Sequence, residues 1–166
     1  MRVRAQFPNL RIAELVDRFG GLTRDEAVEA ATQLVEALRP QADQEIHSAV
    51  VLLETGITVA EMENGSDASI RALFPLCDRI VTVAGIYGYA ALDKASRSLG
   101  DLLVGLICAG KRDIASIQVH VRTIRLLALN SVALGEEQIA TMLSELAKLL
   151  DYHGISSMGE PTASEF

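Results

Sequence analysis

Apolar residues recur at intervals of three and four along most of this chain, and no segment keeps up the apolar-polar alternation of a strand. That spacing puts the apolar residues of a segment on one stripe of a helix. Leu and Ala dominate the apolar residues, aromatic residues are few and Trp is missing, which is typical of helical bundles. The sequence therefore predicts an all-α fold of five to seven helices.

The first half of the chain contains clear start and stop signals. An apolar stripe over 10–19 predicts a short helix that ends at Gly20 and Gly21. Thr23 and Glu26 have the spacing of a capping box, so a second helix is expected to begin there. That helix must stop or kink at Pro40, which has no backbone N–H to donate.

A third helix is predicted over 41–54, and Thr55-Gly56 is expected to end it. The stretch 58–65 is polar and acidic, which predicts a flexible connector. Ser66 or Asp67 should cap the next helix, and Pro75 is expected to kink it.

The second half predicts three further helices. One runs from Tyr89 to Gly110, the next is capped by Asp113, and the last covers 136–152 with a polar tail that includes His153. Since each helix has a single apolar stripe and the connections are short, the last four helices are expected to form an antiparallel four-helix bundle.

The domain organisation follows from these elements. Residues 1–56 are interpreted as N-terminal helices that serve packing or dimerisation, and residues 66–153 as the bundle. A chain of 166 residues is of ordinary size for one domain, so both parts are expected to form one compact domain.

Charge and hydropathy exclude several classes of partner. The net charge is -7 and the basic residues are scattered, whereas a nucleic-acid surface needs clustered Lys and Arg. No apolar run approaches the roughly 18 to 20 residues that span a bilayer, and no signal peptide is evident. A cytoplasmic protein that binds neither nucleic acid nor membrane is expected.

The segment 77–89 and the helical run 90–109 resemble the helical hairpin of a histidine phosphotransfer (Hpt) domain. The resemblance spans about 67–150. The positions that carry it are Ile80, Ala84, Gly85, Tyr87, Gly88, Leu92, Ala95 and Leu99. It implies an Hpt-like antiparallel four-helix bundle in two-component signalling, with additional N-terminal helices and with Gly85 and Gly88 at the turn between two helices.

The reactive position departs from that family. Asp78 stands where the resemblance places the phospho-accepting His, Val81 at the helper position and Thr82 at the Gly that gives a partner clearance. A carboxylate on a free helix cannot replace the imidazole directly, because carboxylate phosphorylation requires bound Mg²⁺ and no site for it is evident. The resemblance therefore implies a non-catalytic module that binds a receiver domain without taking its phosphate and needs no cofactor.

The expected partner-binding residues are Asp78, Arg79, Val81, Thr82 and Tyr89. This hypothesis would be weaker if the side chains of Val81 and Thr82 pointed into the core. A competing hypothesis is a structural or oligomerising helical protein whose first three helices pair with a second copy in a homodimer. A ligand held inside the bundle is a third hypothesis, for which the sequence offers no polar anchor.

The remaining reactive residues point to packing rather than chemistry. His120 lies at the edge of an apolar stripe and is expected to be packed, and His47 lacks the acidic neighbour found in sensor kinases. Cys77 and Cys108 are expected to be buried free thiols, because their spacing fits no metal site. Hydrolase, phosphate-loop, metal-site and dithiol motifs are absent from the sequence, so no enzymatic activity is predicted.

Overall fold

The computed structural model describes residues 23–130 and 134–155. Those residues contain α-helices and no strand, which confirms the predicted all-α fold. The predicted helix over 10–19 lies outside them. No described helix combines the length and the apolar character needed to cross a membrane. The helices are α1 (Arg24–Ala37), α2 (Arg39–Met62), α3 (Asp67–Arg71), α4 (Phe74–Tyr87), α5 (Ala90–Cys108), α6 (Ile114–Asn130) and α7 (Glu136–His153).

The chain divides into two units, one ending at Leu38 and the other beginning at Arg39. In the first unit, the predicted capping box is confirmed. The Thr23 hydroxyl accepts from the Glu26 amide at 3.3 Å, and the Thr23 amide donates to the Glu26 carboxylate at 2.7 Å. No residue of α1 is buried, so this helix depends on its cap and its own backbone hydrogen bonds.

Helix α2 begins around Pro40, as expected, but does not end at Gly56. It continues to Met62, so both the predicted stop and most of the predicted connector over 58–65 are wrong. A Cβ on Gly56 would lie 2.6 Å from a methyl carbon of Leu73, so this glycine serves close packing rather than helix termination. The helix ends about two turns after Gly56, just before Asn64 and Gly65, which adopt positive φ.

Four helices of the second unit form a ring of antiparallel neighbours: α2, α4, α5 and α6. Glu45 of α2 pairs with Arg79 of α4, and Glu54 of α2 pairs with Arg125 of α6, which places α2 between those two helices. Short connections join α4 to α5 and α5 to α6. The segment 39–56, grouped by sequence with the N-terminal helices, thus lies in the same unit as 66–153.

The ring encloses one apolar core. Its fully buried large side chains come from every helix of the ring, from α3 and its connection to α4, and from α7. They are Leu53, Ile70, Leu73, Ile80, Leu99, Leu102, Leu103, Leu106, Ile117, Ile124 and Leu146. Each such Leu or Ile contributes about 1.5 to 3 kcal/mol through burial, so this core dominates the stability of the unit.

The final helix is not a member of the ring, contrary to the expectation that the last four helices form the bundle. Helix α7 packs on α5 and α6 from outside, with Leu146 and Leu150 buried. Gly154 ends it with φ 71°, and Ile155 then lies against Gly105 of α5. The open side of α4 is therefore left uncovered by α7.

The helix that carries the Hpt-like segment is shorter than predicted. Ser66 caps a separate short helix, α3, by accepting from the Ser69 amide at 3.1 Å. Pro75 lies in the first turn of α4, where its missing N–H costs nothing, so it starts a helix instead of kinking one. Gly88 ends α4 with φ 73°, as expected of a turn glycine, whereas Gly85 lies inside the helix.

These two glycines make a matched test of the α4–α5 turn. Gly88→Val should lower the free energy of unfolding by about 1 to 3 kcal/mol, because a β-branched residue is strained at positive φ. Gly85→Ala should raise it by roughly 0.5 to 1 kcal/mol, because this helical position has open space for a Cβ. Urea unfolding measures both, and equal effects of the same sign would contradict the turn geometry.

Candidate functional site

The exposed face of α4 carries three of the residues expected to bind a partner. Asp78 and Thr82 are exposed and one turn apart, and Val81 beside them is half-buried. The Thr82 hydroxyl donates to the Asp78 backbone carbonyl at 2.8 Å, which is an ordinary bond within a helix. One turn further on, the space above Gly85 is open. The face is accessible and its central residues are small.

The other two expected residues face α2: Arg79 lies on α4, and Tyr89 lies in the turn between α4 and α5. Arg79 donates from Nε to Glu45 at 2.9 Å. The Tyr89 hydroxyl donates to Asp43 at 2.6 Å and accepts from Arg39 at 3.1 Å. The bond to Asp43 is the main cause of a raised pKa for Tyr89. The five residues therefore divide between an open face and an internal contact.

A groove of about 840 Å³ adjoins the open face of α4. Helices α4 and α7 form its sides, and α5 forms its floor. The apolar lining residues are Phe74, Cys77 and Val81 of α4, Val104 of α5, and Leu143, Leu146, Ala147 and Leu150 of α7. The polar lining residues are Asp78 of α4 and Asp93, Lys94, Ser96, Arg97, Ser98 and Asp101 of α5, with Gly100 among them. The proposed partner face and the groove thus share Asp78 and Val81.

The titratable groups of the groove are not arranged for nucleophilic catalysis. Burial, together with the neighbouring Asp78 carboxylate, raises the pKa of the Cys77 thiol to about 12, so the thiol stays protonated at neutral pH. Cys77 is buried as expected, whereas Cys108 is exposed, contrary to expectation. Arg97 donates from Nε to both carboxylate oxygens of Asp93, at 3.0 and 3.1 Å.

The chain's three histidines lie away from the face of α4. His120 is fully buried, which confirms the expectation that it is packed. Its Nδ1 is 2.9 Å from the Ser116 carbonyl, so Nδ1 carries the proton and Nε2 accepts from the Ser98 hydroxyl at 3.0 Å. Burial is the main cause of a lowered pKa for His120. His47 is exposed on α2.

The third histidine has contacts that no sequence pattern indicated. His153 was expected in a polar tail, but it belongs to α7, and its Nε2 lies 3.1 Å from both Asp113 and the Ser116 hydroxyl at the start of α6. Because one nitrogen faces both partners, and the Ser116 hydroxyl itself donates to Asp113 at 2.8 Å, His153 does not act as a base toward Ser116. This cluster is a polar tie between α6 and α7.

Asp113 is the acidic member of that tie. Burial alone would raise the pKa of its carboxyl, but hydrogen bonds from the Ser116 hydroxyl and amide, with the nearby His153, lower it overall. The carboxylate also caps α6 as the sequence predicts, accepting from the Ser116 amide at 3.1 Å.

Neither a metal-ligand group nor a similar known protein assigns a function to this site. In the part of the chain that the structure describes, no three His, Cys, Asp or Glu side chains are grouped to hold a metal ion. Comparisons with protein-family models, with curated proteins and with solved structures each returned no match to the chain. The Hpt resemblance therefore stays an expectation from the sequence.

The buried imidazole of His120 should make the stability of the protein depend on pH at mildly acidic pH. Because its folded pKa is lowered, the unfolded chain binds a proton more readily, so stability falls as the pH drops below about 6.5, by at most roughly 1.4 kcal/mol per pH unit. Asp113, whose pKa is also lowered, loses its contribution only below about pH 4.

Thermal melts at pH 7.5 and 5.5 measure this effect. His120→Gln should lose less melting temperature between the two pH values than the parent does, since the variant has no buried imidazole to protonate. His47→Gln, a change at an exposed histidine, is the matched control and should follow the parent. An identical loss in parent and His120→Gln would mean that His120 does not determine the acid sensitivity.

Proposed function

We propose that this chain is a non-enzymatic, cytoplasmic signalling module of Hpt-like form. It binds the receiver domain of a response regulator, or a related two-component signalling protein, through the exposed face of α4. It takes no phosphate from that partner. The observation that carries the proposal is the accessible face of Asp78, Val81 and Thr82 on a helix anchored in a four-helix ring.

The exposure of that face supports docking. Thr82 and Asp78 are exposed rather than turned into the core, and Val81 is half-buried beside them. Because Arg79 of α4 and Tyr89 of the following turn bind Glu45 and Asp43 of α2, the docking helix is held in place without using its open face.

The positions of the imidazoles support a role without phosphate transfer. Attack on an aspartyl phosphate needs an accessible nitrogen in line with the phosphorus. His120 is buried and His153 is engaged with Asp113 and Ser116. His47 is exposed, but it lies on α2 rather than on the proposed docking face. Asp78 offers a carboxylate where the resemblance places the imidazole.

A charge change on α4 tests the docking face. Immobilised parent protein should enrich one or more receiver-containing proteins from an extract of the source cells, identified by mass spectrometry. Thr82→Arg should reduce that enrichment about tenfold or more, since a long charged side chain at the centre of an interface costs at least 1.4 kcal/mol. The fold should be unaffected, because Thr82 is exposed.

Thr55→Arg is a matched control. Thr55 is exposed on α2 and its hydroxyl donates to the backbone one turn earlier, at 2.9 Å, just as that of Thr82 does. This variant should retain the partner.

Incubation with the enriched receiver, phosphorylated with radioactive phosphate, should leave the chain unlabelled. Loss of the partner in both variants, or acid-labile label on His47, would contradict the proposal.

Helix α1 favours a second candidate function, that of an oligomerising helical protein. It carries exposed apolar residues at Val28, Leu34 and Val35, and Leu38 follows at its end. Val28, Val35 and Leu38 share one stripe, and such a stripe on an otherwise exposed helix is suited to pairing with a second copy.

The mass of the assembly in solution tests this candidate. If α1 pairs with a second copy, Val28→Glu with Val35→Glu should convert a dimer into a monomer by light scattering, because buried charges oppose the contact. Gln33→Glu with Ala37→Glu adds the same charge to the opposite face and should leave the dimer intact. A monomeric parent would exclude the candidate.

A further inference from the structure

The groove between α4, α5 and α7 is large enough to hold an organic molecule. Its volume of about 840 Å³ falls within the range of small-molecule sites, roughly 300 to 1,000 Å³. The floor runs from Asp93 to Val104 of α5, a distance of about 16 Å at the rise of an α-helix. The α7 side presents only Leu and Ala, and the α4 side presents Phe74, Cys77 and Val81 beside Asp78. These walls suit a mainly apolar occupant.

Gly100 occupies the floor of this groove, within α5. A glycine inside a helix costs about 1 kcal/mol relative to alanine. Nothing in the described chain needs its small size, because no heavy atom lies within 4 Å of the position a Cβ would take. The missing side chain leaves the floor of the groove open where an occupant would lie.

Ser96, one turn before Gly100, provides an independent observation. Its residue is fully buried, and its hydroxyl is the one buried side-chain polar group of the described residues that has no hydrogen-bond partner. Leaving a buried hydroxyl unpaired costs about 1 to 3 kcal/mol, and Ser96 belongs to the lining of the groove, so turning its hydroxyl toward the groove would let a ligand acceptor satisfy it. No sequence pattern indicated this polar anchor.

The charged residues at the groove limit the charge of the occupant. Along α5, the acidic Asp93 and Asp101 are balanced in number by the basic Lys94 and Arg97, and Arg97 is already bound to Asp93. Asp78 on the facing helix adds a carboxylate that would repel an anionic group. The apolar sides of the groove disfavour the desolvation of a cation, so the groove favours a molecule without net charge.

We propose that this groove is a binding site for an uncharged, mainly apolar organic molecule with a hydrogen-bond acceptor, to which Ser96 donates. The molecule would lie along α5 over Gly100, between α4 and α7. This goes beyond docking of a receiver on the exposed face of α4, and it does not depend on that function.

Nile red is a suitable probe, because it is uncharged, aromatic and carries a carbonyl acceptor. Fluorescence titration of the full chain should show saturable binding of one dye per chain. Gly100→Leu should abolish it by filling the floor, and should not impair folding because it replaces a helical glycine that faces open space. Gly85→Leu, at the equally open helical glycine outside the groove, should bind the dye like the parent.

Ser96→Ala separates the ligand role from a structural one. Its melting temperature should equal or exceed that of the parent, since a buried unpaired hydroxyl is removed. Its affinity for the dye should fall about fivefold to tenfold, as expected for one lost hydrogen bond. A variant that melts lower and binds equally well would overturn the role of Ser96 as the anchor.

Other outcomes would overturn the site itself. These are unsaturable dye binding, or equal losses in Gly100→Leu and Gly85→Leu. If the dye does not bind while Gly100→Leu abolishes enrichment of a receiver-containing protein, the groove belongs to a protein partner and the small-molecule proposal is wrong. If the dye binds as expected and no receiver is enriched, the groove proposal stands and the proposed signalling function fails.

Discussion

Burial of the apolar stripe of α2 between α4 and α6 is the interaction on which the rest of the structure depends. Its seven buried residues include Leu53 at the centre, whose loss to alanine would cost about 2 to 5 kcal/mol. The ion pairs of α2 with Arg79 and Arg125 are partly exposed, and pairs of that kind contribute about 0 to 1 kcal/mol. Packing therefore decides the position of α2, and the ion pairs set its register.

The position of α2 determines which surfaces stay open. Since α2 covers one side of α4 and α7 packs on α5 and α6, the remaining side of α4 faces solvent. The groove lies where α4 and α7 both flank α5 without closing over it. The proposed docking face and the proposed ligand site thus have one origin, which is the placement of α7 outside a closed ring of four helices.

Local signals predicted the helices well, because caps and turns depend on neighbouring residues. The Thr23–Glu26 capping box, the Asp113 cap and the positive φ of Gly88 were all identifiable from sequence. Contacts between distant residues could not be identified in this way. Gly56 was predicted to end a helix, because the residue that requires its small size, Leu73, lies 17 positions later in the sequence. Pro75 was predicted to kink a helix, but it lies in the first turn of that helix.

The shared helix face of three candidate residues follows from local spacing for the same reason, whereas their role in binding stays a prediction. Asp78, Val81 and Thr82 share a helix face, which their spacing alone indicates, and the structure places them together. Arg79 and Tyr89 belong to the α2 contact, which depends on the tertiary position of Glu45 and Asp43. The unpaired hydroxyl of Ser96 and the tie of His153 to Asp113 exist only once α5, α6 and α7 are assembled.

Photocrosslinking in cells is a direct test of whether a signalling partner docks on the open face of α4, as we propose. A photoreactive amino acid at position 82 places the reactive group on that face, and the same amino acid at position 55 places it on the outer surface of α2. We expect an adduct with a receiver-containing protein, identified by mass spectrometry, from position 82 and not from position 55. The absence of a receiver from the adducts at 82, or equal capture from both positions, would contradict that proposal.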